Sequence, residues 1–237
     1  MHTLHNQRFL VVGGSSGIGL ATAIQAAEAG ASVTIVSRSQ AKLDAARADI
    51  SGDIAASVLD TGDEAAVEHF FAQEQPWHHV VISAAQTATG PIRSLSLADA
   101  RAAMESKFWG AYRVARAAKI ETGGSLTFIS GLLGMRPSAT SVLQGAINAA
   151  LEALGRGLAL EFAPVRVNTV SPGLIATPLW SRVPEEQREA MFASAAQRLP
   201  SRRVGQAHDI ANAVMFLVTT PFATGSTVRV DGGAAIV

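Results

Sequence analysis

The sequence predicts an α/β fold, a doubly wound parallel sheet of about seven strands with helices on both faces. Three observations predict it. Short apolar, β-branched runs alternate with longer helical patterns along the 237 residues. Those runs show little polar alternation, as strands covered on both faces do. The chain is 48% hydrophobic, enough for one substantial core. Strands separated by helices of this length imply right-handed crossovers and a parallel sheet.

The elements follow in order. "RFLVV" (8–12) reads as the first strand and Gly17 to Ala29 as the first helix. "SVTIV" (32–36) is the second strand, followed by a helix from Gln40 to Asp49. "IAASV" (54–58) precedes a helix from Asp63 to Gln73, and "HVVIS" (79–83) precedes a long helix from Leu97 to Lys119. "SLTFIS" (125–130) leads into a helix that contains "SVLQGAINAALEAL" (141–154). "VRVNTV" (165–170) is the sixth strand and "STVRV" (226–230) the seventh. No repeat or linker interrupts the pattern, so the expectation is one domain over 1–237. Its rhythm breaks only at an excursion of about 173–206, where Pro184, Glu185 and Glu186 suit a helix start. A long excursion at a strand end is a common part of a binding site.

Composition narrows the function classes. Nineteen basic residues balance nineteen acidic ones, which argues against a polyanion-binding or membrane-surface patch. The chain has no cysteine, so disulfides, thiolate metal sites and cysteine nucleophiles are excluded. Neither a signal core in "MHTLHNQRF" nor an apolar run of membrane-spanning length is visible. The expectation is a cytoplasmic protein that meets a small-molecule substrate and neither nucleic acid nor membrane. His78 and His79 precede a strand, and His2, His5, His69 and His208 show no ligand spacing, so no metal site is expected.

The turn "VVGGSSGIGL" lies between the first strand and the first helix. Gly13, Gly17 and Gly19 leave backbone room for a diphosphate, and Ser15, Ser16 and Ile18 complete the turn. The following helix offers unpaired N–H groups and the positive end of its dipole. A glycine pattern alone is weak evidence, but the strand–turn–helix context strengthens it. The second strand ends in Ser37 and Arg38, where sites selective for NAD place a carboxylate. A guanidinium pairs with a 2′-phosphate that a carboxylate would repel, which predicts NADP(H) in preference to NAD(H).

With these residues in order, the chain resembles the short-chain dehydrogenase/reductase family over essentially its whole length, and with it a Rossmann-type sheet. "GGSSGIG" resembles the family's glycine motif, and Asp60 in "VLDTGD" its adenine-contacting aspartate. Ser83, Ala84 and Ala85 in "ISAAQ" stand where the family has an Asn-Asn-Ala-Gly turn. "VRVNTVSPGLIATP" is similar to its sixth strand and Pro-Gly turn. The resemblance implies that Pro172 and Gly173 turn the chain beside the nicotinamide, and that Ile175 and Thr177 meet its carboxamide and phosphate.

The family moves a hydride between nicotinamide and a carbonyl or alcohol carbon. A tyrosine handles the proton, a lysine four residues on lowers its pKa and holds the ribose, a serine binds the substrate oxygen, and an asparagine fixes a water relay. Charge builds on oxygen during transfer and needs a donor. In this alignment the tyrosine position holds Gln144 and the lysine position Asn148. The serine position falls at Gly131, just after Ser130, and the asparagine position at Lys107. The only tyrosine is Tyr112, and the lysines are Lys42, Lys107 and Lys119, so no Tyr-x-x-x-Lys exists. Tyr112 is read as packing, because it lies five residues past Lys107 and is turned from its face.

The candidate catalytic set is therefore Lys107, Gln144, Ser130 and Asn148. Lys107 is placed to polarise an oxygen or donate a proton, or else to cap a strand carbonyl. Ser141 is a further neutral donor, and Arg136 a candidate for an anionic substrate. The expected function is an atypical NADP(H)-dependent oxidoreductase acting on an activated carbonyl or quinone-type acceptor. The alternative is an inactive NADP(H)- or ligand-binding sensor on the same fold. Small residues in "SVLQGAINAALEALGRGLALEF" permit close helix packing, which with the family's habit predicts a homodimer or homotetramer.

Overall fold

The computed structural model describes residues 3–237. Its strands are β1 (Arg8–Val12), β2 (Ser32–Ser37), β3 (Ile54–Val58), β4 (Trp77–Ile82), β5 (Ile120–Ile129), β6 (Arg166–Pro172), β7 (Ile175–Ala176), β8 (Gly205–Gln206) and β9 (Thr227–Val230). The helices are α1 (Gly17–Glu28), α2 (Gln40–Asp49), α3 (Glu64–Gln73), α4 (Leu97–Met104), α5 (Gly110–Ala117), α6 (Val142–Glu161), α7 (Glu185–Arg198) and α8 (Ala207–Thr219). Seven strands form a parallel sheet in the order β3-β2-β1-β4-β5-β6-β9, and β7 with β8 makes a separate two-stranded ribbon.

Both sheet faces are buried, and the period of the strands sorts their side chains between them. Phe9, Val11, Val33, Ile35 and Val81 face a cluster completed by Ala23 and Ala26 of α1, Leu43 of α2, and Ile210, Val214 and Leu217 of α8. Leu10, Val12, Val80, Ile82, Leu126 and Phe128 face the opposite cluster, with Phe71 of α3, Val114 of α5 and Leu151 of α6. The predicted doubly wound sheet is the observed one.

Two sequence expectations need correction. The single helix from Leu97 to Lys119 is interrupted by a π-helical turn over Glu105–Trp109 and ends at Ala117, so Lys119 lies outside it. The excursion of about 173–206 is not free of strand, because Ile175–Ala176 pairs with Gly205–Gln206.

Capping explains where the helices start and singles out one of them. Ser39, Asp63 and Ser96 accept backbone N–H bonds at the starts of α2, α3 and α4, and Gln206 with Asp209 forms a capping box on α8. Ser16 precedes α1 with no such bond, and the first turn of α1 carries no acid. The amino end of α1 is thus left open.

The α8 helix packs on α1, and a buried arginine closes its far end. Arg166, 7% exposed, donates to the carbonyls of Leu217, Val218, Thr220 and Ala223 at 2.6–3.2 Å. Arg166→Ala is expected to lower stability by roughly 2–3 kcal/mol, since it strips a charged donor from buried carbonyls. A shift of the urea midpoint with an unchanged slope would show it.

Candidate active site

The phosphate turn sits where the sheet order reverses, between β1 and β4, the usual crevice of an open parallel sheet. Gly13 has φ +86°, and a methyl carbon on it would lie 2.5 Å from the Ala84 nitrogen at the exit of β4. A methyl carbon on Gly19 would lie 2.1 Å from the Gly13 carbonyl oxygen. Gly17 opens α1 with φ +55° and faces the Thr177 side chain. The three glycines therefore form a cradle whose space side chains would fill. Ser15, Ser16 and Ile18 line the same turn at the open end of α1.

The other predicted cofactor residues gather at the same edge. Ser83 donates its backbone N–H to Val12 O at 2.8 Å, which places Ala84 and Ala85 beside the turn. Arg38 reaches across from β2 and donates to Gln86 Oε1 at 2.6 Å, while Ser37 lies within a weak 3.4 Å contact of Ser39. Asp60 Oδ1 accepts from the Gly62 N–H at 2.9 Å at the end of β3. Pro172 ends β6, and Gly173 N–H donates to Val230 O. The Ile175 carbonyl accepts from Trp180 Nε1 at 2.9 Å, and the Thr177 hydroxyl makes no helix-capping bond. The glycine cradle, the open helix end and the arginine at β2 fit an NADP-type dinucleotide.

The four candidate catalytic residues form one cluster, with Lys107, Ser130 and Asn148 buried and Gln144 half-buried. Lys107 lies on the π-turn, 7% exposed. Its Nζ donates to Ser130 O and to Asn148 Oδ1, both at 2.7 Å. Burial lowers its pKa to about 8, against the pull of Glu152. Gln144 Nε2 donates weakly to Asn148 Oδ1 at 3.4 Å, and Gln144 Oε1 is buried without a partner. The Ser130 hydroxyl donates to Glu152 Oε1 at 2.9 Å. It faces Glu152 of α6 and not the amides of Gln144 and Asn148 on the same helix. A methyl carbon on Gly131 would lie 2.7 Å from Asn148 Nδ2, so only glycine leaves room for that amide.

Other candidates lie elsewhere. Arg136 donates to the Ala234 carbonyl near the carboxyl end. Tyr112 packs against Phe108 and Trp109 in an aromatic cluster and is 41% exposed, away from the buried Lys107. Among the described residues no group of His, Cys, Asp or Glu is arranged to hold a metal ion, and no helix is long and apolar enough to cross a membrane.

A family model described as enoyl-(acyl carrier protein) reductase matches residues 12–235. A short-chain dehydrogenase/reductase of Stachybotrys chlorohalonatus (strain IBT 40285) is 34% identical over 99% of each chain. This chain belongs to the short-chain dehydrogenase/reductase family. Among solved structures, a small-chain dehydrogenase in complex with NADPH is 32% identical, with 98% and 99% of the two chains covered and a TM-score of 0.84. A short-chain oxidoreductase from Pseudomonas aeruginosa PAO1, described as NADPH-bound and as containing an atypical catalytic center, is 28% identical over 100% of both chains, TM-score 0.91.

Two contacts of this chain were missed from sequence. Glu152 lies four residues beyond Asn148 and eight beyond Gln144, which puts the three on one face of α6; that spacing was a usable signal. Gln86 was within a quoted motif but gained no role, because its pairing with Arg38 depends on the adjacency of β2, β1 and β4. Next to Thr177, the loop after β7 and helix α7 border a shallow, open depression lined by Pro178, Ser181, Arg188 and Phe192.

Proposed function

We propose that this protein is an NADP(H)-dependent oxidoreductase that passes a hydride to an activated carbonyl or quinone-type acceptor, through an active site that departs from the family pattern. The observation that carries this reading is the contrast between the two halves of the crevice. The nucleotide half has its glycine cradle, open helix end and Arg38, while the tyrosine position holds Gln144, whose amide has no proton of tunable pKa. The NADPH bound by two similar structures, one with a centre described as atypical, supports the same reading.

Bound NADP(H) supplies the hydride. Ser15, Ser16, Ile18 and the three glycines hold the diphosphate, Asp60 the adenine, and Ser37 with Arg38 the 2′-phosphate. Ser83, Ala84, Ala85, Pro172, Gly173, Ile175 and Thr177 frame the nicotinamide half. Gln144 and Asn148 meet the reactants, and Lys107 fixes the direction of Asn148. Losing a general acid costs ~10²–10⁴-fold in rate, while positioning keeps a large contribution of its own. That balance restricts the enzyme to acceptors that need little proton help.

Arg38→Ala is expected to lower the NADPH/NADH affinity ratio by roughly tenfold to a hundredfold, the effect of one charge-assisted pair. Fluorescence titration with both nucleotides checks it. The chain also acts as a homodimer or homotetramer in this reading. Exposed Trp109 on the π-turn, Tyr112 on α5 and Leu160 on α6 supply apolar surface for that contact. Sedimentation at micromolar concentration tests it.

The test of function is NADPH consumption against quinones, diketones and simple ketones, with NADH as control. Turnover restricted to activated acceptors is the expected result. Tight NADPH binding with no turnover on any acceptor would favour the second reading, a nucleotide- or ligand-binding sensor. The buried Gln144 carbonyl, which has no proton to give, is the observation on that side.

A further inference from the structure

Lys107 sets the direction of two amides. An ammonium has only hydrogens to offer, so the Asn148 atom 2.7 Å from it is the carbonyl oxygen Oδ1. That oxygen faces the Gln144 amide at 3.4 Å, which turns Nε2 toward it and leaves Oε1 facing the other way. Turning Gln144 over would set two carbonyl oxygens against each other. Turning Asn148 as well would set its NH2 against the ammonium. Among the described residues no group donates to Gln144 Oε1, although that atom is buried, and a buried acceptor without a donor is costly.

Gln144 occupies the position from which the family's tyrosine faces the reacting heteroatom. Here that position presents an acceptor. A carbonyl oxygen arriving there would meet another carbonyl oxygen, and the charge that grows on it during hydride transfer would find no donor. A heteroatom that already carries hydrogen meets the opposite situation.

We propose that the acceptor selected by this site is a protonated imine, C=N–H⁺, whose N–H donates to Gln144 Oε1. The proposal rests on the reading of the chain as an NADP(H)-dependent reductase and puts an imine in place of the activated carbonyl as its preferred acceptor. The imine carbon receives a hydride, with its electron pair, from the reduced nicotinamide, which is oxidised. The π pair of the C=N bond becomes the nitrogen lone pair. The product is a neutral amine that keeps its N–H, and no proton leaves the protein. The Lys107 ammonium stands behind Asn148, is engaged by two carbonyl oxygens and is favoured by the Glu152 carboxylate.

The experiment compares cyclic imines with ketones of the same ring size and with a vicinal diketone, on the full chain with NADPH. The expected result is a kcat/KM for the imine at least tenfold above its matched ketone. Gln144→Leu should lower imine kcat/KM by about tenfold to a hundredfold with NADPH affinity unchanged. Gln144→Tyr, which returns an O–H donor, should shift preference toward ketones. Calorimetry gives a readout apart from turnover: protonated piperidine, a saturated mimic of the iminium, should bind the NADPH-loaded wild type about tenfold more tightly than Gln144→Leu. If Gln144→Leu instead weakens NADPH and leaves imines untouched, Oε1 belongs to a cofactor ribose hydroxyl and the proposal is wrong. If diketones or quinones react and imines do not, the imine proposal fails while the reductase reading stands. If no acceptor is consumed, both fail.

Discussion

Lys107→Met is expected to slow NADPH-dependent turnover by about 10²-fold or more while NADPH affinity stays within a few-fold. The methionine keeps most of the volume but cannot hold Asn148 Oδ1 and Ser130 O, both 2.7 Å from the ammonium. Asn148 is then free to turn, and Gln144 with it, and misplacement of reacting groups on the ångström scale costs about 10²-fold. Lys107→Arg, which keeps the charge, should recover part of the rate. The pH dependence separates this from simple loss of packing. Burial lowers the Lys107 pKa to about 8, with Glu152 opposing. Turnover in the wild type should therefore fall as pH rises through about 8, and this inflection should be absent from Lys107→Met.

The same shift has a consequence for stability, with a definite sign. Below about pH 8 the lysine is charged in both the folded and the unfolded chain, and its buried charge penalises the folded one. Between about 8 and the ordinary value of 10.5 the unfolded chain holds more protons, so stability rises with pH across that window. The rise attributable to Lys107 is on the order of 3 kcal/mol. Urea unfolding at several pH values, wild type against Lys107→Met, measures it as a difference.

Gly19→Ala is expected to remove NADPH binding by at least about a hundredfold and to cost roughly 1–3 kcal/mol of stability. The added carbon would lie 2.1 Å from the Gly13 carbonyl oxygen, and that oxygen is backbone, so the turn itself must shift. Gly13 in turn abuts the Ala84 nitrogen, and displacement there moves the exit of β4 as well. Ala27→Gly, at a half-buried position of α1 far from the turn, serves as the control. Nucleotide titration together with urea unfolding separates lost binding from lost folding.

The fold was legible because its signals are local and repeated. Apart from the ten-residue β5, the strands of the main sheet are short runs with β-branched residues, and each of α2, α3 and α4 begins at a residue that caps it. The phosphate turn was legible because "GGSSGIG" lies between a strand and a helix, with glycines where side chains would collide. The helix from Leu97 was less legible. A π-turn adds a residue per turn without any mark in the apolar pattern, and it changes the face on which Lys107 emerges. Lys107 itself was found through the family position it was aligned with, whereas its partners could not be read, since Ser130 O is a backbone atom and the Lys107–Asn148 contact joins two elements 41 residues apart. The direction of Gln144 follows from that contact alone, so it too lay beyond the sequence.

Deuterium transfer tests the central claim most directly. The protein is mixed with NADPH carrying deuterium at the transferable position, separately on each face, and with a vicinal diketone or a cyclic imine, and the product is examined by mass spectrometry. The account predicts that one face delivers deuterium to the product carbon, and that NADH in place of NADPH gives far less product. A protein that binds NADPH tightly yet leaves every product free of deuterium would contradict it.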